Sequence, residues 1–434
     1  MNTLEDFLKR DASLYPDKIA IFCQGNRLTY AQLYGLVCSR SSEFLPFKGK
    51  AVVFPNTQDA DFIITYLAIH MAGAVAVPLE KDCPEDRFLH IQKEVSDTTF
   101  EDAIADILFT TGTTGKSKGV MIGHQAILAD GENLIEAQGF NHDTTFIISG
   151  PMNHIGCLSK IFPVIMCGAT LYILEGMKDI NAFFDAISWA EGKVATFLVP
   201  TSIHMLLFYG SKKLRQLAHQ IDFIETGAAP ITHTDMSKLC KMLPTTRLYN
   251  TYASTETGII ATYNYNDGRC TEGCLGKAMK NSRFFITEKG TIACQGQTLM
   301  SGYFGEEEMT RKVLRDNTLY SSDLGNIDDE GMLHILGRED DVINTGGFKV
   351  APSEVESVAL ERPEISDCIC IAAPHPIIGT VLKLLIVSDG DIDKKGIARY
   401  LQSKLESYKV PFFYEKVECI HRTFNGKIDR KFYR

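Results

Sequence analysis

The sequence predicts an α/β protein: a large N-terminal domain of stacked mixed and parallel sheets flanked by helices, followed by a small α+β C-terminal domain. Three observations predict it. The 434 residues exceed what one hydrophobic core usually organises. Short apolar and β-branched runs precede helical patterns, as where 50–55 lead into 59–74 and 168–174 lead into 181–192. After 333–340, a Gly-rich stretch opens a compact final segment.

That final segment has the size of a small domain, roughly ninety residues. Its apolar runs and amphipathic patterns predict two strands and two helices, at 368–374, 382–388, 352–361 and 394–405. We therefore predict a large domain over residues 1–338 and a small domain over residues 339–434.

Composition excludes several classes of protein. The hydrophobic fraction of 45% and the charged fraction of 23% are ordinary for a globular chain. No apolar run reaches the ~18 residues of a membrane span, and the acidic N-terminal segment is unlike a secretory signal. The net charge of −10 disfavours a nucleic-acid partner. The twelve cysteines lack metal-ligand spacing, so we predict inert thiols. Without a membrane span or a secretory signal, the default expectation is a cytoplasmic enzyme.

The strongest local signal is the segment ADILFTTGTTGKSKGVMIGH at 105–124. Apolar strands flank a run of Thr, Gly and Lys, which offers backbone N–H groups, hydroxyls and positive charge to a polyphosphate. A Walker A loop is excluded, because Lys116 and Ser117 would need glycine at position 110, where the chain has Thr110. The alternative is a polar surface hairpin.

This segment resembles the signature loop of the adenylate-forming superfamily, [YF]-T-S-G-T-T-G-x-P-K-G, which comprises acyl- and aryl-CoA synthetases, adenylation domains of peptide synthetases and luciferase. Thr111 replaces the usual Ser, and Ser117 replaces the usual Pro. The resemblance implies that the loop binds ATP through these residues: Thr110, Thr111, Gly112, Thr113, Thr114, Gly115, Lys116 and Lys118.

The segment LYNTYASTETG at 248–258 resembles the family's Y-G-x-T-E motif. The resemblance implies that Tyr252 stacks on adenine, that Thr255 binds a phosphate oxygen, and that Glu256 is a ligand for Mg²⁺. A carboxylate oxygen is the donor that Mg²⁺ prefers. Taken alone, Ser-Thr-Glu is also a helix-capping pattern.

Two further assignments complete the adenine side of the nucleotide site. The segment ETGAAP at 225–230 resembles a family segment whose backbone lines the adenine and acid pockets, which assigns Gly227 and Ala228. Asn250, in the strand before Tyr252, is assigned to the same set.

Two motifs supply the ribose contact and the catalytic lysine. The segment YSSDLGNIDDEG at 320–331 resembles T-G-D-L-G, which assigns Asp323 as acceptor for both ribose hydroxyls. The segment NGKIDRKFYR at 425–434 resembles the family's C-terminal motif, which assigns Lys427 to the charge that builds between the attacking carboxylate and the α-phosphate.

The segment 333–356 resembles the family's hinge. The resemblance implies that Arg338 contacts the ribose or α-phosphate and that Asp340 is the position about which a mobile small domain rotates. It also implies that the bare backbone of Gly347 lets a pantetheine arm pass.

The acid pocket is predicted from PMNHIG at 151–156, which resembles a segment of acyl- and aryl-CoA synthetases. His154 would lie beside the carboxylate, with a structural histidine as the alternative. No aspartate for a substrate ammonium occurs there, so we expect an organic acid, aromatic or fatty, rather than an amino acid.

Together the resemblance implies adenylation of a carboxylic acid with ATP and Mg²⁺, then transfer to a thiol, most simply that of coenzyme A. The alternatives are transfer to the phosphopantetheine of an acyl carrier protein and a nucleotide-binding protein without activity. A sub-domain around 80–105 is shortened relative to the family. The sequence leaves the oligomeric state open.

Overall fold

A computed structural model describes residues 2–111, 117–345, 347–377, 379–422 and 428–433. The mixed α/β architecture predicted from the sequence is confirmed. Within these residues the chain forms helices α1 Leu4–Leu14, α2 Tyr30–Phe44, α3 Ala60–Met71, α4 Glu85–Ser96, α5 His124–Gln138, α6 Ile155–Cys167, α7 Ile180–Trp189, α8 Pro200–Tyr209, α9 Ser211–Gln216, α10 His233–Met242, α11 Glu307–Val313, α12 Pro352–Ala359 and α13 Lys394–Lys404.

The strands divide among four sheets. They are β1 Ile19–Cys23, β2 Asn26–Thr29, β3 Ala51–Pro55, β4 Val75–Leu79, β5 Ile104–Thr111, β6 Ser117–Gly123, β7 Thr145–Ile148, β8 Thr170–Ile173, β9 Val194–Phe197, β10 Ile221–Thr226, β11 Arg247–Ser254, β12 Gly258–Asn264, β13 Cys274–Ala278, β14 Ser282–Ile286, β15 Thr291–Gly296, β16 Gly302–Tyr303, β17 Leu314–Arg315, β18 Thr318–Ile327, β19 Leu333–Arg338, β20 Ile343–Thr345, β21 Phe348–Val350, β22 Asp367–His375, β23 Gly379–Val387 and β24 Phe413–Lys416.

The largest sheet changes character along its width. Strands β1, β8, β7, β9, β10 and β11 are parallel neighbours in that order. From β12 onward the pairing is antiparallel, through β13, β19, β18 and β15 to β14. The change falls at the β11–β12 hairpin. Its turn carries the Ser-Thr-Glu sequence, so that motif lies at the junction between the two kinds of pairing.

A second sheet has the order β16-β6-β5-β4-β3. Strand β4 pairs with β3 and β5 in parallel, whereas β6 pairs with β5 and β16 in antiparallel. The only helix described between β4 and β5 is α4. Helix α3 packs against β4 of this sheet. Every side chain from Phe62 to His70 is buried, which agrees with the nearly continuous apolar sequence of the helix.

The C-terminal segment has its own sheet, β22-β23-β24, and a β20–β21 hairpin. Helices α12 and α13 bury Val355, Ala359, Ile397 and Leu401 in a cluster formed with this sheet. The chain after β24 is fastened by Arg430, whose guanidinium donates to both carboxylate oxygens of Glu356 at 2.7 and 3.0 Å.

We searched the described helices for a membrane span. None is both long enough and apolar enough to cross a bilayer.

Candidate active site

The predicted phosphate loop is flanked by the paired strands β5 and β6. Thr110 pairs with Lys118 across the ladder, and the Ser117 hydroxyl donates to the Thr110 carbonyl at 3.3 Å. Thr111 pairs with Ser117 as the last backbone pair before the tip. The next five assigned positions lie outside the described residues: Gly112, Thr113, Thr114, Gly115 and Lys116.

Glu256 lies in the turn between β11 and β12, next to the assigned Thr255. The Tyr303 hydroxyl donates to Glu256 Oε1 at 2.9 Å, and Lys118 Nζ lies 5.2 Å from the centre of the Tyr303 ring. Strand β16, which carries Tyr303, pairs with β6. The structure therefore brings the base of the phosphate loop and the assigned magnesium ligand to one tyrosine.

Tyr252 and Asp323 form the second pair of the site. The Tyr252 hydroxyl in β11 donates to Asp323 Oδ2 in β18 at 2.6 Å, although three strands separate β11 from β18 in the sheet order. Burial, together with the charge of Asp323, raises the pKa of the Tyr252 phenol well above its ordinary value. The phenol therefore stays protonated as a donor, which fixes one oxygen of the carboxylate and leaves the other facing Arg338.

Arg338 follows directly from the pairing of β18 with β19, since Asp323 and Arg338 are cross-strand partners. Arg338 Nε lies 3.4 Å from Asp323 Oδ1, and Arg338 Nη2 donates to the Ser322 hydroxyl at 2.6 Å. Asp340 Oδ2 lies 3.8 Å from the same Nη2. Ser322, which departs from the glycine usual in the resembled motif, thus anchors the guanidinium.

The two groups of side chains lie near each other. Burial and Glu256 raise the pKa of the Tyr303 phenol, and Arg338 opposes this rise, so Arg338 lies within electrostatic reach of Tyr303. The site therefore contains the carboxylates of Glu256 and Asp323, the guanidinium of Arg338, and Lys118 beside the predicted phosphate loop. This is the charge pattern that a ribose, a polyphosphate and a divalent cation require.

The predicted acid side lies where β9, β10 and α6 meet. His154 is the half-buried N-cap of α6. The Phe197 ring packs against both Gly156 and Gly227, close enough that an added Cβ at either would stand 3.4 to 3.5 Å from it. Ala228 has φ +66°, a left-handed conformation that strains a residue with a side chain. A sharp backbone turn therefore borders Phe197.

A fully buried ion pair lies behind this wall. Lys160 Nζ donates to Glu225 Oε1 at 2.8 Å, and the two side chains are 1% and 0% exposed. The same Nζ lies 5.4 Å from the centre of the Phe197 ring. Asp130 is buried nearby and accepts from the Ile259 amide at 2.8 Å, and its burial raises its pKa to about 8.

The remaining assigned residues fall in three places. Asn250 is buried and donates through Nδ2 to the Cys274 carbonyl at 3.0 Å, so its amide links β11 to β13. Gly347 has φ +89° in the exposed β20–β21 turn, with open space where a Cβ would stand. Lys427 lies outside the described residues.

The fold and this cleft can now be set beside known proteins. The sequence profile described as "AMP-binding enzyme" matches residues 8–100 and 93–304, and the profile "AMP-binding enzyme C-terminal domain" matches residues 354–427. The chain belongs to the AMP-binding enzyme family. It is accordingly an acid–thiol ligase of the type that forms an acyl-adenylate from ATP.

Two curated relatives of the chain share one name. The 2-succinylbenzoate–CoA ligase of Bacillus cereus (strain AH820) is 27% identical over 462 residues, with 95% of this chain and 94% of the relative covered. The 2-succinylbenzoate–CoA ligase of Staphylococcus aureus (strain MSSA476) is 30% identical over 349 residues, covering 78% and 69%.

Solved structures share the whole fold. ATP-bound MatB from Rhodopseudomonas palustris superposes with a TM-score of 0.88 at 23% identity, covering 100% of this chain and 98% of that one. The o-succinylbenzoate CoA synthetase MenE from Bacillus subtilis, in complex with the acyl-adenylate OSB-AMP, gives 0.86 at 22% identity, covering 99% and 97%.

Two sets of residues around the cleft escaped prediction from the sequence. Tyr303 contacts both Lys118 and Glu256, and its only signal was an aromatic residue between glycines in SGYFG at 301–305. Lys160 stands alone in the apolar helix IGCLSKIFPVIMC, which signals a buried charge but gives no partner. Its partner, Glu225, lies 65 residues along the chain.

Proposed function

We propose that the protein adenylates an organic carboxylic acid with ATP and Mg²⁺ and then transfers the acyl group to coenzyme A. The observation that carries the proposal is the single cleft in which Tyr303 joins Lys118 to Glu256 while Arg338 joins Asp323 to Asp340. The group around Tyr303 suits the polyphosphate with its Mg²⁺, and the group around Arg338 suits the ribose and the α-phosphate.

In the first half-reaction a substrate carboxylate oxygen attacks the α-phosphorus of ATP, and pyrophosphate leaves. Asp323 accepts hydrogen bonds from the ribose, with Tyr252 holding the carboxylate in place. Arg338 and Lys427 offset the negative charge that develops around the α-phosphate. Glu256 would hold Mg²⁺, and the ion would supply positive charge to the polyphosphate.

In the second half-reaction a thiolate attacks the acyl carbon, and AMP leaves. We propose that residues 339–434 move as a small domain about Asp340, which withdraws Lys427 and brings the Gly347 turn to the adenylate. Asp340 suits a pivot because it lies in a short 3-10 turn, Glu339–Asp341, between β19 and the β20–β21 hairpin. Gly347 suits the passage because its surroundings are open.

We assign an aromatic acid ahead of a fatty acid. The relatives named for 2-succinylbenzoate act on an aromatic acid by their names, and Phe197 supplies a flat wall between Gly156 and Gly227. His154 is proposed to lie beside the reacting carboxylate. The connection between β4 and β5 is short, and α4 is the one helix described in it. We propose that this shortening changes the shape of the acid pocket where the connection borders it.

A carrier-protein phosphopantetheine is the second candidate acceptor. Both acceptors present the same thiol, so the sequence motifs fit either one. Coenzyme A is preferred because the named relatives are CoA ligases. We place the reaction in the cytoplasm, since all twelve cysteines are free thiols, which is typical of a reducing compartment.

The proposal is tested by acid-dependent release of pyrophosphate. Purified protein is incubated with ATP, Mg²⁺ and a panel of benzoates, 2-succinylbenzoate, short and long fatty acids, and amino acids. We expect release with an aromatic acid, and thioester formation when CoA is added. Absence of release with every acid would favour a nucleotide-binding protein without activity, and a thioester formed only with a phosphopantetheinylated carrier protein would replace CoA as acceptor.

A further inference from the structure

A buried cluster of ionisable side chains lies beneath the phosphate-loop hairpin and takes no part in the proposed reaction. It is formed by Glu5 in the first turn of α1, His70 in the last turn of α3, Asp106 in β5 and His124 at the start of α5. The side chains of His70 and Asp106 are 0% exposed, and that of Glu5 is 8% exposed. Four elements that are distant in sequence thus converge on one polar centre.

Two atoms in this cluster face each other at a long distance. Glu5 Oε1 and His70 Nδ1 are buried and lie 3.4 Å apart, within ion-pair range, but neither makes a well-aligned hydrogen bond to a described residue. Buried polar atoms whose contacts are long or poorly aligned call for an explanation. A nitrogen of His124 completes a group of three potential ligand atoms that all lie within 4.8 Å of one another.

The second nitrogen of His70 orients the ring. His70 Nε2 lies 2.9 Å from Asp106 Oδ1, and the Tyr66 hydroxyl donates to Asp106 Oδ2 at 2.9 Å. With Nε2 donating to the carboxylate, the lone pair of Nδ1 points into the gap toward Glu5. A carboxylate that fixes a histidine in this way is the usual support of a histidine that binds zinc.

We propose that Glu5, His70 and His124 bind a divalent transition-metal ion, with Zn²⁺ as the best fit, and that Asp106 orients His70. Two histidines and one carboxylate form a known zinc ligand set, and bonds of about 2.0–2.1 Å in a tetrahedron place ligand atoms about 3.3 Å apart. The separation of Glu5 Oε1 from His70 Nδ1 is 3.4 Å.

Charge balance also favours the ion. A divalent cation neutralises the carboxylates of Glu5 and Asp106 while both histidines stay neutral. A metal-free imidazolium bridging the two carboxylates is the competing description, and it leaves His124 without a role.

The position of the site gives it a structural role near the reaction. Asp106 pairs with Ile122 in the β5–β6 ladder, and His124 directly follows β6, so both ends of the hairpin enter the site. Glu5 and His70 add α1 and α3. The ion would tie the base of the hairpin to two helices, below the tip that carries Thr110 and Lys118.

The test measures metal binding on the full-length, untagged protein. After treatment with dipicolinate, the protein is titrated with Zn²⁺ against a chromophoric chelator, and separately with Co²⁺. We expect about one Zn²⁺ per chain, a raised Tm, and visible Co²⁺ bands of tetrahedral intensity. Failure of the wild-type protein to bind Zn²⁺ would overturn the proposal in favour of the imidazolium bridge, whether or not any variant folds.

Variants then locate the site. Glu5→Gln and His124→Gln each remove one ligand and should weaken Zn²⁺ binding at least about tenfold, whereas Asp106→Asn should weaken it about 10- to 100-fold through His70. His204→Gln is the matched control, because His204 also faces a carboxylate, Asp235, at 3.1 Å but lies in another part of the chain. Equal Zn²⁺ affinity in Glu5→Gln, His124→Gln and wild type would refute the assignment.

Discussion

The proposed nucleotide end and the proposed acid end of the site use charged side chains in opposite ways. At the nucleotide end, Asp323 and Arg338 keep 19% and 44% of their side chains exposed. At the acid end, Lys160 and Glu225 are almost wholly buried and pair with each other behind Phe197. The first arrangement leaves charges that a ligand can reach, whereas the second uses charge to support a wall.

This difference explains why the two ends depend on sequence differently. A group that contacts ATP must keep its chemical type, so its identity follows from the ligand. A group behind the wall must only match its neighbour in volume and charge, because replacing a buried pair by apolar residues is often tolerated. If Phe197 borders the acid as proposed, the specificity for the acid should depend in part on residues that do not contact it.

The acid end gives the largest expected change in stability. Lys160→Met leaves Glu225 charged, buried and unpaired, and should lower the free energy of unfolding by about 3–5 kcal/mol. The double variant Lys160→Met/Glu225→Leu should recover most of that loss, and its KM for the acid should change while its KM for ATP does not. Urea unfolding and steady-state kinetics measure both; a double variant as unstable as Lys160→Met would contradict the pairing.

The lysine of the C-terminal motif gives the largest expected change in catalysis. Lys427→Ala should slow adenylation about 100- to 1,000-fold, by analogy with the loss of one group that stabilises developing charge. Thioester formation from a supplied acyl-adenylate should be largely retained. The exposed Lys431→Ala is the control. Equal losses in both half-reactions would mean that Lys427 does not withdraw between them.

Loss of the proposed ribose contact should have a smaller effect than loss of Lys427. Asp323→Ala removes the acceptor of Tyr252 and of the ribose hydroxyls, and the loss of charged hydrogen bonds worth about 1.5–3 kcal/mol should weaken ATP binding about 10- to 100-fold. Asp329→Ala, on the exposed turn of the same segment, should bind ATP as the wild type does. Unchanged ATP affinity in Asp323→Ala, measured by calorimetry, would remove Asp323 from the site.

The buried Asp130 should make the free energy of unfolding depend on pH. Its folded-state pKa of about 8 lies above the unfolded value, so the folded protein holds a proton that the unfolded chain releases above about pH 4. The free energy of unfolding should therefore fall as pH rises from about 4 to 8, by about 2 kcal/mol between pH 5.5 and 7.5. Asp130→Asn keeps an acceptor for Ile259 and should flatten that slope; a slope identical to wild type would show that Asp130 is already ionised.

The magnesium ligand should give the smallest change. Glu256→Gln keeps the acceptor for Tyr303 but removes a charge, so the Mg²⁺ concentration for half-maximal pyrophosphate release should rise about tenfold. Tyr303→Phe, which keeps the carboxylate and removes its donor, should raise it less. An unchanged Mg²⁺ requirement in Glu256→Gln would mean that the ion is held by the phosphates alone.

The sequence offered candidate residues for the nucleotide end because the motifs there are short and local. Thr255 and Glu256 are adjacent, and Asp323 faces Arg338 because one hairpin connects them. The contacts of Tyr303, and the pairing of Lys160 with Glu225, join segments 47 and 65 residues apart. Nothing in a linear pattern specifies which distant side chains share a buried space, so tertiary packing alone reveals these partners.

The buried cluster of Glu5, His70 and His124 shows the same limit. Cysteine spacing predicted no zinc site, and that prediction considered only ligands close together in sequence. Histidines on two helices and a glutamate on a third meet only after folding. Local motifs therefore predict candidate nucleotide ligands, whereas the proposed metal ligands come together only in the folded chain.

The central claim is that an acid oxygen attacks the α-phosphorus of ATP. It is tested most directly by carrying out one complete turnover with the active acid labelled with ¹⁸O in its carboxylate, in the presence of CoA, and analysing the products by mass spectrometry. We predict one ¹⁸O atom in AMP and none in pyrophosphate, because the bridging oxygen leaves with AMP when the thiol attacks. Unlabelled AMP, or label in a phosphate product, would contradict an acyl-adenylate and the function proposed here.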